Sequence, residues 1–130
     1  MNDAGQGGTP SAGPSQTQAG GGSHITIEEF QRLALRVGIV TAADVHPNAD
    51  RLLVLTVDIG EPSPRQLVAG IRGSYQPAEV IGKRVIVVAN MKPAMLRGVE
   101  SQGMVLAASD GTSIVLLAPE RQVPAGSTVK

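Results

Sequence analysis

The chain has 130 residues, with 11 basic and 11 acidic side chains and a formal net charge of zero. That length suits one domain, and the neutral balance excludes a charge-driven, non-specific nucleic-acid binder while leaving room for a local patch. Cysteine is absent, and His24 and His46 have no further His or Cys at ligand spacing, so disulfides, thiol nucleophiles, metal centres and cofactors are not expected.

Residues 1–23 are, after Met1 and Asn2, Gly, Ser, Thr, Pro, Gln and Ala with a single acid, Asp3. Such a stretch cannot offset the entropy of ordering, which predicts a disordered tail, with a folded domain over 24–130. Thr26-Ile-Glu-Glu29 fits a capping box. It opens a short helix through about Leu33, with Ile27, Phe30 and Leu33 at helical spacing on one packing face.

Strand patterns follow at Leu35–Val45, Leu52–Ile59, Arg65–Ala69, Arg84–Ala89 and Gln102–Ala108. His46-Pro-Asn-Ala-Asp50 separates the first two as a turn cluster. Pro77–Ile81 reads as a short helix stopped by Gly82, and the run Arg84–Ala89 as a strand buried on both sides. Asp110-Gly111 is a hairpin signal leading to Ser113–Ala118. Five main strands with a helix between the third and fourth predict an all-β, five-stranded Greek-key barrel of the OB type, with a short N-terminal helix and additional C-terminal β structure. No stretch reaches the length of an apolar membrane span, and the N-terminus lacks the segments of a signal peptide, which predicts a cytoplasmic location and no membrane partner.

Several motifs in one order carry a family resemblance. They are Ile27-Glu-Glu-Phe30, Leu35-Arg-Val-Gly38, His46-Pro-Asn-Ala-Asp-Arg-Leu52, Val68-Ala-Gly-Ile71, Val87-Val-Ala-Asn-Met-Lys-Pro93 and Leu96-Arg-Gly-Val-Glu-Ser-Gln-Gly-Met104, followed by Ala107-Ala-Ser-Asp110. Thr26 to Lys130 thereby resembles the tRNA-binding domain found free-standing or at the C-terminus of methionyl-tRNA synthetases. The His46–Leu52 and Arg97–Met104 stretches also resemble an OB domain of the phenylalanyl-tRNA synthetase β subunit, but the Asn-Met-Lys-Pro segment and the N-terminal helix fit the first group better. The resemblance implies an OB fold, non-catalytic binding of folded tRNA in aid of an aminoacyl-tRNA synthetase, and a homodimer formed outside the minimal barrel. It also implies tRNA contacts at Asn90, Lys92, Arg97, Ser101 and Met104. The pattern departs at Ala94 and Met95, where family members often carry basic residues. With no catalytic domain ahead of residue 24, the chain reads as free-standing.

Those residue types suit the task on chemical grounds. A Lys92 ammonium pairs with a phosphate, and the Arg97 fork grips one with two bonds or stacks on a base. Asn90 both donates and accepts, Ser101 donates to a phosphate or ribose, and Met104 offers a soft apolar surface. Arg36, Arg72, Lys83 and Arg84 extend the positive set. Each also has a plainer role on offer: Asn90 as a turn residue, Lys92 and Arg97 as solvated charges, Ser101 as a loop cap, Met104 as core, and His46 as part of a turn. One Phe, one Tyr and no Trp leave almost no platform for stacking single-stranded bases, which points to shape and backbone reading of a folded RNA.

A second function class stays open. A small chaperone linked to bacterial protein export resembles the same dimeric barrel, and such a module needs an exposed apolar groove in place of a basic edge. An enzyme is disfavoured, because Ser101 has no His near it in sequence and no phosphate-cradling Gly loop follows a strand.

Overall fold

The computed structural model describes residues 23–130, so the expected tail lies, Ser23 apart, outside the described residues. The chain divides into two compact units, one ending at Arg32 and the other running from Leu33 to Lys130. In the first, helix α1 (Ile27–Gln31) is short because only its start is well signalled. The Glu29 amide donates to Thr26 Oγ1 at 3.1 Å and the Thr26 amide to Glu29 Oε1 at 2.8 Å, closing the capping box. On the apolar face expected of this helix, Ile27 is 61% exposed and Phe30 half-buried.

The second unit is built on strands β1 (Leu35–Val45), β2 (Leu53–Asp58), β3 (Arg65–Ala69), β4 (Arg84–Val88) and β7 (Met104–Val105). They form one antiparallel sheet in the order β3-β2-β1-β4-β7, with β10 (Thr128–Val129) added alongside β1. Two small hairpins flank it, β5 (Ala94–Leu96) with β6 (Val99–Ser101) and β8 (Ala107–Ser109) with β9 (Ile114–Leu116). Helix α2 (Pro77–Val80) sits between β3 and β4, opened by Pro77 at its first turn. This is the all-β OB-type barrel that the strand order predicts.

Strand β1 is long enough to serve two neighbours. Its first half pairs with β4 and its second with β2, and the register slips between Val40 and Ala42. A bulge there bends the strand as a small barrel requires. Gly38 lies where the walls come closest, since a Cβ on it would stand 2.5 Å from Val57 Cγ1. The interior is aliphatic: Leu53, Leu55, Val57, Leu67, Val80, Val85 and Val87 are fully buried. Each such side chain contributes roughly 1.5–3 kcal/mol of burial.

The last side of the barrel, between β3 and the segment entering β7, closes largely through side chains. The Gln102 amide donates to Gln66 O at 2.8 Å, the Gln66 amide to Gln102 Oε1 at 2.9 Å, and Gln66 Nε2 to Glu100 O at 2.8 Å. Ser101 is buried in this seam. Its hydroxyl accepts from the Val68 amide at 3.0 Å and donates to Gly103 O at 2.9 Å.

Candidate nucleic-acid interface

The stretch 94–101 is a two-residue β-hairpin, with Leu96 opposite Val99 and Arg97-Gly98 as its loop. Both loop residues have positive φ, 54° for Arg97 and 90° for Gly98, the geometry of a type I′ turn. Glycine adopts it freely, whereas arginine is strained there and needs support from its surroundings.

Support comes from the His46–Asp50 cluster. His46 is 3% exposed. Its Nδ1 accepts from the Asn48 amide at 2.9 Å, so Nε2 carries the proton and donates to Leu96 O at 2.8 Å. Asn48 Nδ2 donates to Arg97 O at 3.3 Å. The turn between β1 and β2 thus clamps the peptide groups on both sides of the Arg97 Cα. The Arg97 side chain is exposed and takes part in no ion pair among the described residues.

A second clamp holds the base of the Lys92 loop. Arg65 Nη1 donates to Ala89 O at 2.6 Å and Gln102 O at 3.0 Å, while its Nε and Nη2 grip the Glu61 carboxylate at 2.9 and 2.8 Å. That hydrogen-bonded pairing lowers the pKa of Glu61 and raises that of Arg65. As a partly exposed ion pair it is worth at most about 1 kcal/mol, so its role is placement. Asn90 follows, exposed, its Oδ1 accepting from the Ala34 amide at 2.9 Å. Arg36, Arg65 and Asn90 border one open cleft of about 520 Å³.

The five expected contact residues therefore separate. Lys92 and Arg97 are exposed cations on loops held from behind, and neither takes part in an ion pair among the described residues. Met104 is not core, being 44% exposed on β7 beside Val88. Asn90 is at the surface with its carboxamide oxygen engaged. Ser101 differs from the other four in being buried, its hydroxyl accepting from the Val68 amide and donating to Gly103 O. Sequence reasoning missed Arg65 and gave His46 and Asn48 no part beyond a turn. Reading Arg97-Gly98 as a hairpin loop would have exposed the need for something to hold an arginine there. Among the described residues no cluster of acids and histidines is suited to a metal ion, and no helix is long and apolar enough to cross a membrane.

A small β-barrel with a braced, cation-bearing rim defines an OB-type binding module. The chain belongs to the putative tRNA binding domain family, whose model matches residues 35–128. It is 48% identical over 107 residues to a methionine–tRNA ligase of Thermococcus kodakarensis, covering 82% of this chain and 14% of that protein. A methionine–tRNA ligase of Methanosarcina mazei is 50% identical over 107 residues, covering 82% and 15%. The chain thus spans about a seventh of the length of these curated relatives. Among solved structures, a protein related to methionyl-tRNA synthetase from Pyrococcus horikoshii superposes with a TM-score of 0.77 at 34% identity, covering 83% of this chain and 99% of that one. The chaperone CsaA from Bacillus anthracis does so with a TM-score of 0.76 at 31% identity, covering 83% and 100%.

Proposed function

We propose that the chain binds folded tRNA without catalysing a reaction, reading shape and backbone, and that it assists an aminoacyl-tRNA synthetase of the methionyl kind as a cytoplasmic homodimer. The observation that carries this reading is the braced Arg97 turn. A strained backbone is held by His46 and Asn48, and what the strain presents is an exposed guanidinium. Lys92 on the neighbouring loop supplies a second cation, and exposed Met104 offers a ribose or base an apolar surface in place of an aromatic platform. The test compares folded tRNA, heat-unfolded tRNA and single-stranded RNA of equal length across a salt series. Preference for the folded form is expected, with log K falling by about 0.7–0.9 per phosphate contacted for each decade of salt. Equal affinity for all three RNAs sinks the proposal.

The protein-binding alternative rests on one specific observation. All of β5 is exposed, Met95 at 70% and Leu96 at 38%, and Ala94 and Met95 stand where the family often carries basic residues. Peptide binding that survives high salt and Arg97→Ala would favour it.

A further inference from the structure

At the end of β4 opposite Asn90, about 20 Å away along the extended chain, Lys83 and Arg84 border a second cleft of about 330 Å³. Tyr75, Leu116, Arg121 and Gln122 contribute to its walls, so three separate segments meet there. Arg84 Nε donates to Val123 O at 2.8 Å. That bond fixes the guanidinium and leaves its terminal amino groups without an acceptor among the described residues. Tyr75 is anchored in a complementary way: its Oη accepts from the Leu116 amide at 3.0 Å, so the phenol proton remains available to donate. Lys83 and Arg121 are exposed, and neither takes part in an ion pair among the described residues. Against these three cations the cleft has one carboxylate, Glu120. In a chain of zero net charge, this is a locally positive, donor-rich pocket with two of its donors pre-oriented.

We propose that this cleft is an anion site that takes a phosphate group. The guanidinium fork matches two phosphate oxygens, and the ammonium and phenol supply donors from other directions, which suits a tetrahedral anion. The site is separate from the Arg97 turn and does not depend on what that turn binds. Its phosphate comes either from an RNA backbone or from a free phosphate compound.

The two sources separate in one experiment. The ¹H–¹⁵N spectrum of the full chain is followed at low salt during titration with inorganic phosphate and, separately, with folded tRNA. The signals read are the amides of Lys83, Arg84 and Gln122 and the Nε–H of Arg84. Saturable shifts are expected, abolished in the double variant Lys83→Ala/Arg121→Ala and reached at about two- to threefold lower ligand concentration in Glu120→Gln. Both replaced cations are exposed, and an unchanged thermal midpoint confirms that the fold is kept. If the source is RNA, tRNA moves these signals and the double variant lowers the magnitude of the salt slope by about 1–2. Shifts with inorganic phosphate alone identify a site for free phosphate compounds. No shift with either ligand, or unaltered shifts in the double variant, overturns the proposal.

Discussion

Strands β2 and β5 are both short and apolar, yet their side chains meet opposite fates. Leu53, Leu55 and Val57 on β2 are 0% exposed, whereas Met95 on β5 is 70% exposed and Leu96 38%. Composition does not separate them; neighbours do. β2 lies between β1 and β3 and turns one face into the barrel, while β5 has only β6 beside it and no second layer over it. Stability therefore resides in the barrel wall, and the rim carries apolar and cationic side chains that folding does not consume. The lesson is that in this domain the residues that hold the fold and those left exposed at the rim are different sets, divided within a single hairpin between Ser101 and Arg97.

The division can be tested from its strongest side downward. Leu67→Ala empties a fully buried site and is expected to cost about 2–5 kcal/mol in urea unfolding. The tRNA affinity of the molecules that remain folded should not change. Arg97→Asn is expected to do the reverse. Asparagine tolerates positive φ, so stability holds or rises by up to about 1 kcal/mol, while loss of a charge-assisted contact weakens tRNA binding by about 1.5–3 kcal/mol. Calorimetry with and without tRNA reads both quantities, and an Arg97→Asn protein that loses stability but keeps affinity breaks the comparison. Ser101→Ala should leave the Val68 amide buried and unsatisfied, at a cost of about 1–3 kcal/mol with affinity preserved. Affinity lost at unchanged stability would return Ser101 to the interface.

The smallest effect concerns the β8–β9 turn. Amides of Thr112 and Ser113 donate to Asp110 Oδ1 at 2.9 and 2.8 Å and, with the Thr112 hydroxyl, hold this exposed carboxyl well below the usual range. With its folded pKa depressed, Asp110 contributes stability that is full above the unfolded value of about 4 and is lost as pH falls from there through the lower folded value. Amide exchange at Ser113, corrected for intrinsic rate, should show reduced protection in acid, and Asp110→Asn should remove that dependence.

Much of this barrel was legible from residue patterns. The five main strands stand in the expected order, the Thr26–Glu29 box forms, and Asp110-Gly111 makes its turn. What escaped has physical reasons. The fifth strand was expected over Gln102–Ala108, but it is broken between Val105 and Ala107 into two short pieces that serve different partners. The β5–β6 hairpin was hidden because its turn places arginine where Asn, Asp or Gly is the usual signal. In Val99-Glu-Ser101 a three-residue strand offers too little alternation to show which face is buried, and the inward serine read as an outward one. Ile27 keeps helical spacing yet is 61% exposed, since periodicity shows which residues share a face but not how far each is buried.

The seam between Gln66 and residues 100–102 has a kinetic meaning. Its bonds join residues 34 to 36 apart in sequence, through side chains that can swing away without uncoupling the β1, β2 and β4 ladders. Loop entropy does not set the seam apart, because the β1–β4 pairs join residues 45 to 53 apart, farther than the seam does; what sets it apart is that it rests largely on side chains. The same seam is then the place where the finished barrel opens most readily, with Arg65 as the latch that spans it.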